Sequence, residues 1–371
     1  MSTDKIISAA ADIMLGKNKD GSLDSYVIGQ DGVFYSRSQV KGGKWGTWAP
    51  GSDAGLFAPG SSVTSVLDGN GKLINFAVAT NGHVYSREQQ NPGGDWTSWS
   101  DQGSSQIFEP GSVVNPFADS THRIDLYVID AKGTLHTRSR TVGSTWSDWS
   151  ADSDEGKFVP GCRVSSMETP TRVLNAAIGV DGCLYVRQRL DDGLGWGVWE
   201  ARSDSRFPAG AAISMIADAP GTLWIQIVGK DGVMWFSSMD AQGEWSEWLA
   251  TSDEKQFIPG SPVTLTSQGN RIYGTAVNAK GRVVAADGTN PETWTASSWK
   301  EVGNIVTAPG TMVSAASDLS GKLFMTVVDA AEKIRSLLGF DDSQWSKDDP
   351  SAPTMPRPSQ EKRPGVTTWA W

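Results

Sequence analysis

Cysteine and histidine are scarce in this chain, with two of the first and three of the second among 371 residues. Cys162 and Cys183 cannot make a disulfide framework for a chain of this length. The strand pattern below sets them two strands apart in one repeat, too far for an easy bridge, so both read as free thiols. His83, His122 and His136 are scattered, and no metal-ligand spacing, nucleophile elbow or phosphate loop occurs. No cofactor and no metal is therefore expected. Basic runs are missing as well: 32 Lys and Arg stand against 42 Asp and Glu, which makes nucleic acid a poor partner. There is no apolar run of 18 residues, and Met1 to Ile7 carry neither a basic leader nor an apolar signal core. Membrane insertion is not expected, and the expectation is synthesis in the cytoplasm without a signal peptide, any release using another route.

What the chain has instead is tryptophan, 17 residues in all, with 41 glycines and 18 prolines punctuating short elements. A composition of 38% hydrophobic and 20% charged residues is that of a folded soluble protein. The tryptophans recur in order. One segment runs Tyr26-Val27-Ile28-Gly29-Gln30-Asp31-Gly32-Val33-Phe34-Tyr35-Ser36-Arg37, then Trp45 and Trp48, then Phe57-Ala58-Pro59-Gly60. Its turn glycine returns at Gly82, Gly133, Gly182, Gly232 and Gly281, with Glu332 in the seventh place, so that copies lie 49 to 51 residues apart. The first Trp returns at Trp96, Trp146, Trp196, Trp245, Trp294 and Trp345. The second follows three residues on at Trp99, Trp149, Trp199 and Trp248, five on at Trp299, and is missing from the seventh copy.

Each copy holds short runs rich in branched and aromatic residues, separated by Asn-Gly, Gly-Gly or Pro-Gly turns, which is the pattern of strands. Four such runs per copy and a period near fifty predict an all-β, seven-bladed β-propeller with four antiparallel strands per blade. One small sheet cannot cover both its faces until neighbours stack around an axis. The expected blades are approximately 11–58, 59–109, 110–159, 160–208, 209–258, 259–308 and 309–363 in one domain, with 364–371 closing the ring. Ala11 to Leu15 compete for that closing place by direct register; the segment from Val366 to Trp371, which follows a Pro-Gly, is the expected occupant. The proline-rich stretch from Asp349 to Pro364 reads as a surface loop.

In a strand, residues two apart share a face, so Tyr35 pairs with Arg37, Tyr85 with Arg87, His136 with Arg138 and Tyr185 with Arg187. The pattern then decays to Trp235 with Ser237, Val284 with Ala286 and Arg335 with Leu337. An aromatic face beside a guanidinium suits a sugar, whose C–H patch packs on an indole while its hydroxyls meet fixed donors. Acceptors are available in the recurring pairs Ser52-Asp53, Ser153-Asp154, Ser203-Asp204 and Ser252-Asp253, or in Glu88, Glu200 and Glu247. Packing alone offers another account: a repeated Trp is often a blade-packing residue, with the first of each pair the expected core member. An Arg near a Tyr can simply pair with the next blade, and Ser-Asp more often caps a turn. Packing, however, needs the motif in all seven copies, whereas binding tolerates its loss in some. A glycosidase needs a carboxyl pair, or a Tyr with acidic help, at one special place. No copy is singled out in that way; the stretch from Asp191 to Trp196 only faintly resembles a sialidase Asp-box.

With the repeat laid out, the chain resembles, over essentially its whole length from about Ala11, the seven-bladed bacterial propeller lectins of the Photorhabdus type. The likeness rests on the combined Asp-Gly-x-x-Tyr-x-Arg and Trp-x-x-Trp pattern. It implies binding of L-fucose and related, sometimes O-methylated or galactose-type, glycans between adjacent blades, recognition of host surface glycans, and homo-oligomers. By motif, the sugar-binding positions it implies are Tyr35, Arg37 and Trp48; Tyr85, Arg87 and Trp99; Arg138 and Trp149; Tyr185, Arg187 and Trp199; and, in the fifth copy, Trp235 and Trp248. Ser237, Ala286 and Leu337 depart from the pattern and put the last three sites in doubt. A sialidase-like hydrolase and a protein-binding scaffold are the alternatives.

Overall fold

A computed structural model describes residues 12–40, 44–103, 106–190, 195–218, 220–317 and 323–338. The second strand of most repeats, such as Leu23–Ile28 or Leu73–Val78, is buried at every position, and in blades 4 and 6 only its first one or two residues are not. A strand covered on both faces is apolar over most of its length rather than alternating; the buried polar exceptions include Asp24, Ser25, Asn75 and Asp125. The third strand is buried over much of its length, and the fourth is two exposed residues in blades 2 to 5, as in Ser100–Asp101, but runs over Lys300–Val306 in blade 6. Each repeat thus folds into one antiparallel sheet with its strands in chain order. Blade 1 spans residues 14–50, blade 2 64–101, blade 3 115–151, blade 4 165–201, blade 5 214–250, blade 6 263–306 and blade 7, over its described residues, 314–338.

The first strands of successive blades touch one another all the way round, and that of blade 7 touches that of blade 1. The ring is closed. A hydroxyl at one repeat position links neighbours: Thr64 donates to the Val114 carbonyl at 2.7 Å, Ser165 to Ile213 at 2.8 Å and Thr264 to Val313 at 2.5 Å. Ser314 of blade 7 donates likewise to Ile13. Near the axis, Asp12 takes Arg163 at 2.5 Å and the Ser62 hydroxyl at 2.7 Å, tying the start of the described chain to blades 2 and 4.

One expectation about closure is corrected here. The innermost place in blade 1 is filled by Met14–Lys17, paired antiparallel with Leu23–Ile28, and not by the C-terminal segment; a strand that follows directly in the chain needs no long return to reach its partner. Residues 364–371, the proline-rich stretch, Trp345 and most of the Asp-box-like segment lie outside the described residues.

The turn glycines are required by geometry. Gly32 has φ +70° and a side chain there would sit 2.4 Å from the Phe57 carbonyl oxygen, which accepts nothing bulkier than hydrogen beside it. The Phe57 amide in turn donates to the Gly32 carbonyl at 3.2 Å, so the second-to-third-strand turn is locked to the segment leading into the next blade.

Candidate functional site

The period-two reading of the third strand places the arginines on the face turned to the preceding blade. Arg37, Arg87, Arg138 and Arg187 are all buried there, each between the two indoles of its own Trp pair. Arg37 lies 4.5 Å from Trp45 and 4.8 Å from Trp48; Arg138 lies 5.4 Å from both Trp146 and Trp149; Arg187 lies 4.7 and 4.6 Å from Trp196 and Trp199. Arg87 is held by Phe34 of blade 1 at 4.0 Å and Trp96 at 4.3 Å, with Trp99 at 5.6 Å. Contacts of this kind contribute ~0.5–2 kcal/mol each.

Both tryptophans of a pair are wedged between blades. The second packs edge-on against the Phe that precedes each Pro-Gly or its counterpart: Trp99 on Phe57, Trp149 on Phe108, Trp199 on Phe158 and Trp248 on Phe207, at 4.9 to 5.1 Å. In blade 1 the buried member is Trp48, the second, while Trp45 is half-buried. The expectation that the first Trp is the core member gives way to a shared role, because the first also packs on an aromatic ring of the preceding blade, Trp96 on Tyr26, Trp146 on Phe76 and Trp196 on Tyr127, at 5.9 to 6.0 Å.

The rings beside the arginines are tied to the Asp of their own turn. Tyr35 donates to Asp31 at 2.7 Å, Tyr185 to Asp181 at 2.8 Å and Trp235 to Asp231 at 3.2 Å; His136 pairs with Asp130 at 2.8 Å, and Tyr85 accepts from Asn81 at 3.3 Å. The hydrogen bond to Asp181, helped by burial, raises the Tyr185 hydroxyl to about 12. The Ser-Asp pairs turn out to be caps: Ser52, Ser153, Ser203 and Ser252 each accept the first amide of the third strand at 2.7 to 2.9 Å.

What each arginine finds beyond the rings differs. Arg187 lies 2.7 Å from the Asp152 carboxylate of blade 3, and Arg138 donates to the Gln102 carbonyl at 3.3 Å. The residue in the same place before blade 2 is Gly51, where any side chain would meet the Arg87 Nη1 at 2.8 Å. Arg87 Nε and Nη2 are buried without partners, and burial lowers the group to about 10.

Two residues beyond the arginine, a second position governs the outer part of each seam. Arg189 of blade 4 pairs with Asp119 and Asp125 of blade 3 and covers Trp196 at 5.1 Å. Gln89 of blade 2 donates to Asn18 of blade 1 at 2.8 Å. These two seams are closed. The seams between blades 2 and 3 and between blades 4 and 5 are open, with clefts of about 300 and 380 Å³. Equivalent positions line both: Lys72 and Glu88 in the first, Arg172 and Gln188 in the second, faced by Arg140 and Met239. Sequence reasoning named Glu88 as a possible acceptor but missed the other rim residues, although Lys72 and Arg172 occupy one place in the repeat and could have been found by aligning it. In blade 6 the arginine gives way to Ala286 and the indoles collapse inward, Trp294 on Trp299 at 5.7 Å. In blade 7 Leu337 is buried.

No family model matches the chain, and no curated protein matches it in sequence. Its fold is shared with solved structures. The BP39L lectin from Burkholderia pseudomallei superposes with a TM-score of 0.81 at 18% identity, over 91% of this chain and 98% of that one. SapL1 lectin, solved with alpha methyl fucoside, gives 0.52 at 16% identity over 82% and 98% of the two chains. An ulvan lyase of polysaccharide lyase family PL25, bound to a GlcA-Rha3S chain, gives 0.56 at 12% over 91% and 96%. At these identities the likeness establishes the fold, a seven-bladed β-propeller of four-stranded antiparallel blades.

Proposed function

We propose that the chain is a lectin that binds sugars in clefts between blades, at more than one place per chain. The observation that carries this reading is the recurrence of one cleft at two seams, built from equivalent residues of the repeat. Both fall in the ~300–1,000 Å³ range of small-ligand sites. A pyranose needs an apolar wall for its C–H face and rim groups for its hydroxyls; the second cleft supplies Trp245 with Gln188, Glu200 and Arg172, the first Glu88, Lys72 and Arg140.

Fucose, its O-methylated forms or galactose are the sugars proposed, on the resemblance of the repeat and on the alpha methyl fucoside carried by SapL1. Weak single sites joined on one ring, and further joined in a homo-oligomer, gain ~100-fold or more on a glycan-coated surface through effective concentration alone. A glycan array followed by calorimetry tests this. The expected result is weak binding of free sugar with more than one site per chain and strong agglutination. A blank array, or a partner protein recovered instead, sinks it.

A second reading has one observation in its favour. The cleft between blades 2 and 3 sets His122 with Lys72 and Arg140, and a polysaccharide lyase needs a base beside cations that neutralise a uronate. Steady formation of an unsaturated product from a uronate polysaccharide, lost in His122→Ala, is the result that would replace the lectin with an enzyme.

A further inference from the structure

The fifth copy, where the sequence pattern breaks, opens onto a cleft of about 380 Å³ at its seam with blade 4. Trp45, Trp96, Trp146 and Trp196 each carry an arginine on the ring, and two of them carry two. Trp245 carries none among the described residues. The reason is substitution at both guanidinium positions of its strand. Ser237 stands where Arg187 and Arg138 stand, and its hydroxyl turns away to the Ser246 carbonyl at 3.0 Å. Met239 stands where Arg189 and Arg140 stand. On the opposite wall Leu174 replaces the Asp125 that anchors Arg189 in the preceding seam.

Removing two guanidinium groups from a seam leaves the indole facing empty space, and the cleft of about 380 Å³ is that space. Blade 6 lost its arginine too, but there the second Trp follows five residues on and the two indoles pack against each other at 5.7 Å; in blade 5 the spacing of three is kept, Trp248 stays on Phe207 at 5.0 Å with its indole donating to the Arg202 carbonyl at 3.2 Å, and Trp245 lines the cleft. The mouth is flanked by two exposed apolar side chains, Val198 at 77% and Leu190 at 49% exposure. Arg172 is drawn across it by a 2.6 Å hydrogen bond to the Gln242 carbonyl, which fixes its guanidinium at the rim.

We infer that the cleft between blades 4 and 5 is the tightest sugar site of the chain, with Trp245 as the stacking platform, its face left bare because Ser237 and Met239 replace the two arginines that cover the equivalent indoles of blades 3 and 4. The inference rests on the lectin reading and assigns its principal site. The ligand is a neutral pyranose: its C–H face lies on Trp245 above Met239 and Leu174, and its hydroxyls reach Gln188, Arg172 and Glu200. An arginine at 239 would cover the same indole face and compete with the sugar for it.

The test is calorimetric titration of the wild type, Ser237→Arg/Met239→Arg, Met239→Arg alone and Gln188→Ala with methyl α-L-fucoside and methyl α-D-galactoside, with the melting temperature of each as the folding control. The double variant restores the residues that blades 3 and 4 already accommodate. The expected result is loss of one site per chain, the tighter one, with at least a tenfold fall in affinity and an unchanged melting temperature; Met239→Arg should do most of this, and Gln188→Ala should weaken the same site. If the wild type binds either sugar and the variants that remain folded keep its stoichiometry and affinity, the assignment to this seam is overturned while the lectin reading stands. If the wild type binds neither, the reading itself fails.

Discussion

Arg187 and Asp152 meet at 2.7 Å across the seam between blades 3 and 4. The same carboxylate-bearing residue accepts the Trp199 indole N–H at its carbonyl, 3.4 Å away. Arg187 is sealed, so its charge depends on this acid. Asp152→Ala should lower stability by about 1.5–3 kcal/mol, the range for a hydrogen-bonded charge. Denaturant unfolding checks it, and Arg187→Met/Asp152→Ala together should recover most of the loss, because an apolar pair leaves no stranded charge.

Arg87 should behave otherwise. With Gly51 in the place of the acid, the guanidinium has rings around it but no carboxylate against it, and replacing it by an apolar chain of similar length removes an unpaired buried cation. Arg87→Met is expected to change stability by less than about 1 kcal/mol. Trp99→Ala is the contrast, since it empties the space against Phe34 and Phe57; a loss of about 3–5 kcal/mol is expected. Melting curves of the two variants separate the roles: a Trp99→Ala protein that keeps its melting temperature would show the ring to be dispensable for packing.

Gly32→Ala tests the turn that locks each blade to the next segment. The site has positive φ, and the Phe57 carbonyl stands where the methyl would go. Two penalties then add, one for the left-handed backbone and one for the clash, and the loss should exceed about 1 kcal/mol. An unfolding midpoint equal to wild type would show that the turn can shift freely.

Acid should open the seam between blades 3 and 4 first. Burial works against the Asp119 charge, but hydrogen bonds from Thr121 and Arg189 prevail and hold its carboxyl below the ordinary 3.8. Asp130 is likewise held down by Thr134 and His136 against burial. Groups depressed in this way contribute fully above their unfolded value, and the contribution is lost as pH falls through the folded one. Asp24 is shifted the other way by burial, so its protonation relieves a cost instead. The melting temperature should therefore fall between roughly pH 5 and 2, less steeply in Asp119→Asn than in wild type; an equal slope in the variant would refute the assignment.

The repeat was legible because it was written in residues that geometry cannot replace. Gly32 and its equivalent glycines need positive φ, and Phe57, Phe108, Phe158, Phe207 and Phe257 are the surfaces on which the next tryptophan rests. The faces of the third strand were legible for the same reason, since a period of two admits no other arrangement. The openness of each seam was not. Arg189 closes one because Asp119 and Asp125, more than sixty residues earlier, lie opposite it, and no local pattern reports that. The repeat suggested that intact copies would be the binding ones; the third dimension shows the intact arginines buried on their own indoles and the fifth copy, without them, leaving Trp245 bare beside a cleft. The ring closure was misjudged for want of one fact, that Met14–Lys17 follows directly into the strand it pairs with.

That arrangement has a topological meaning. Every described sheet is woven from one contiguous stretch of chain, and none of them borrows a strand from elsewhere among the described residues. Cutting the chain at an exposed Pro-Gly corner such as Pro160-Gly161 and joining the natural ends would leave each described sheet whole, and the hydroxyl links between first strands would still run from neighbour to neighbour. The molecule is in that sense a necklace of self-sufficient beads, in which units could be permuted or exchanged to change the number of open clefts without rethreading the rest.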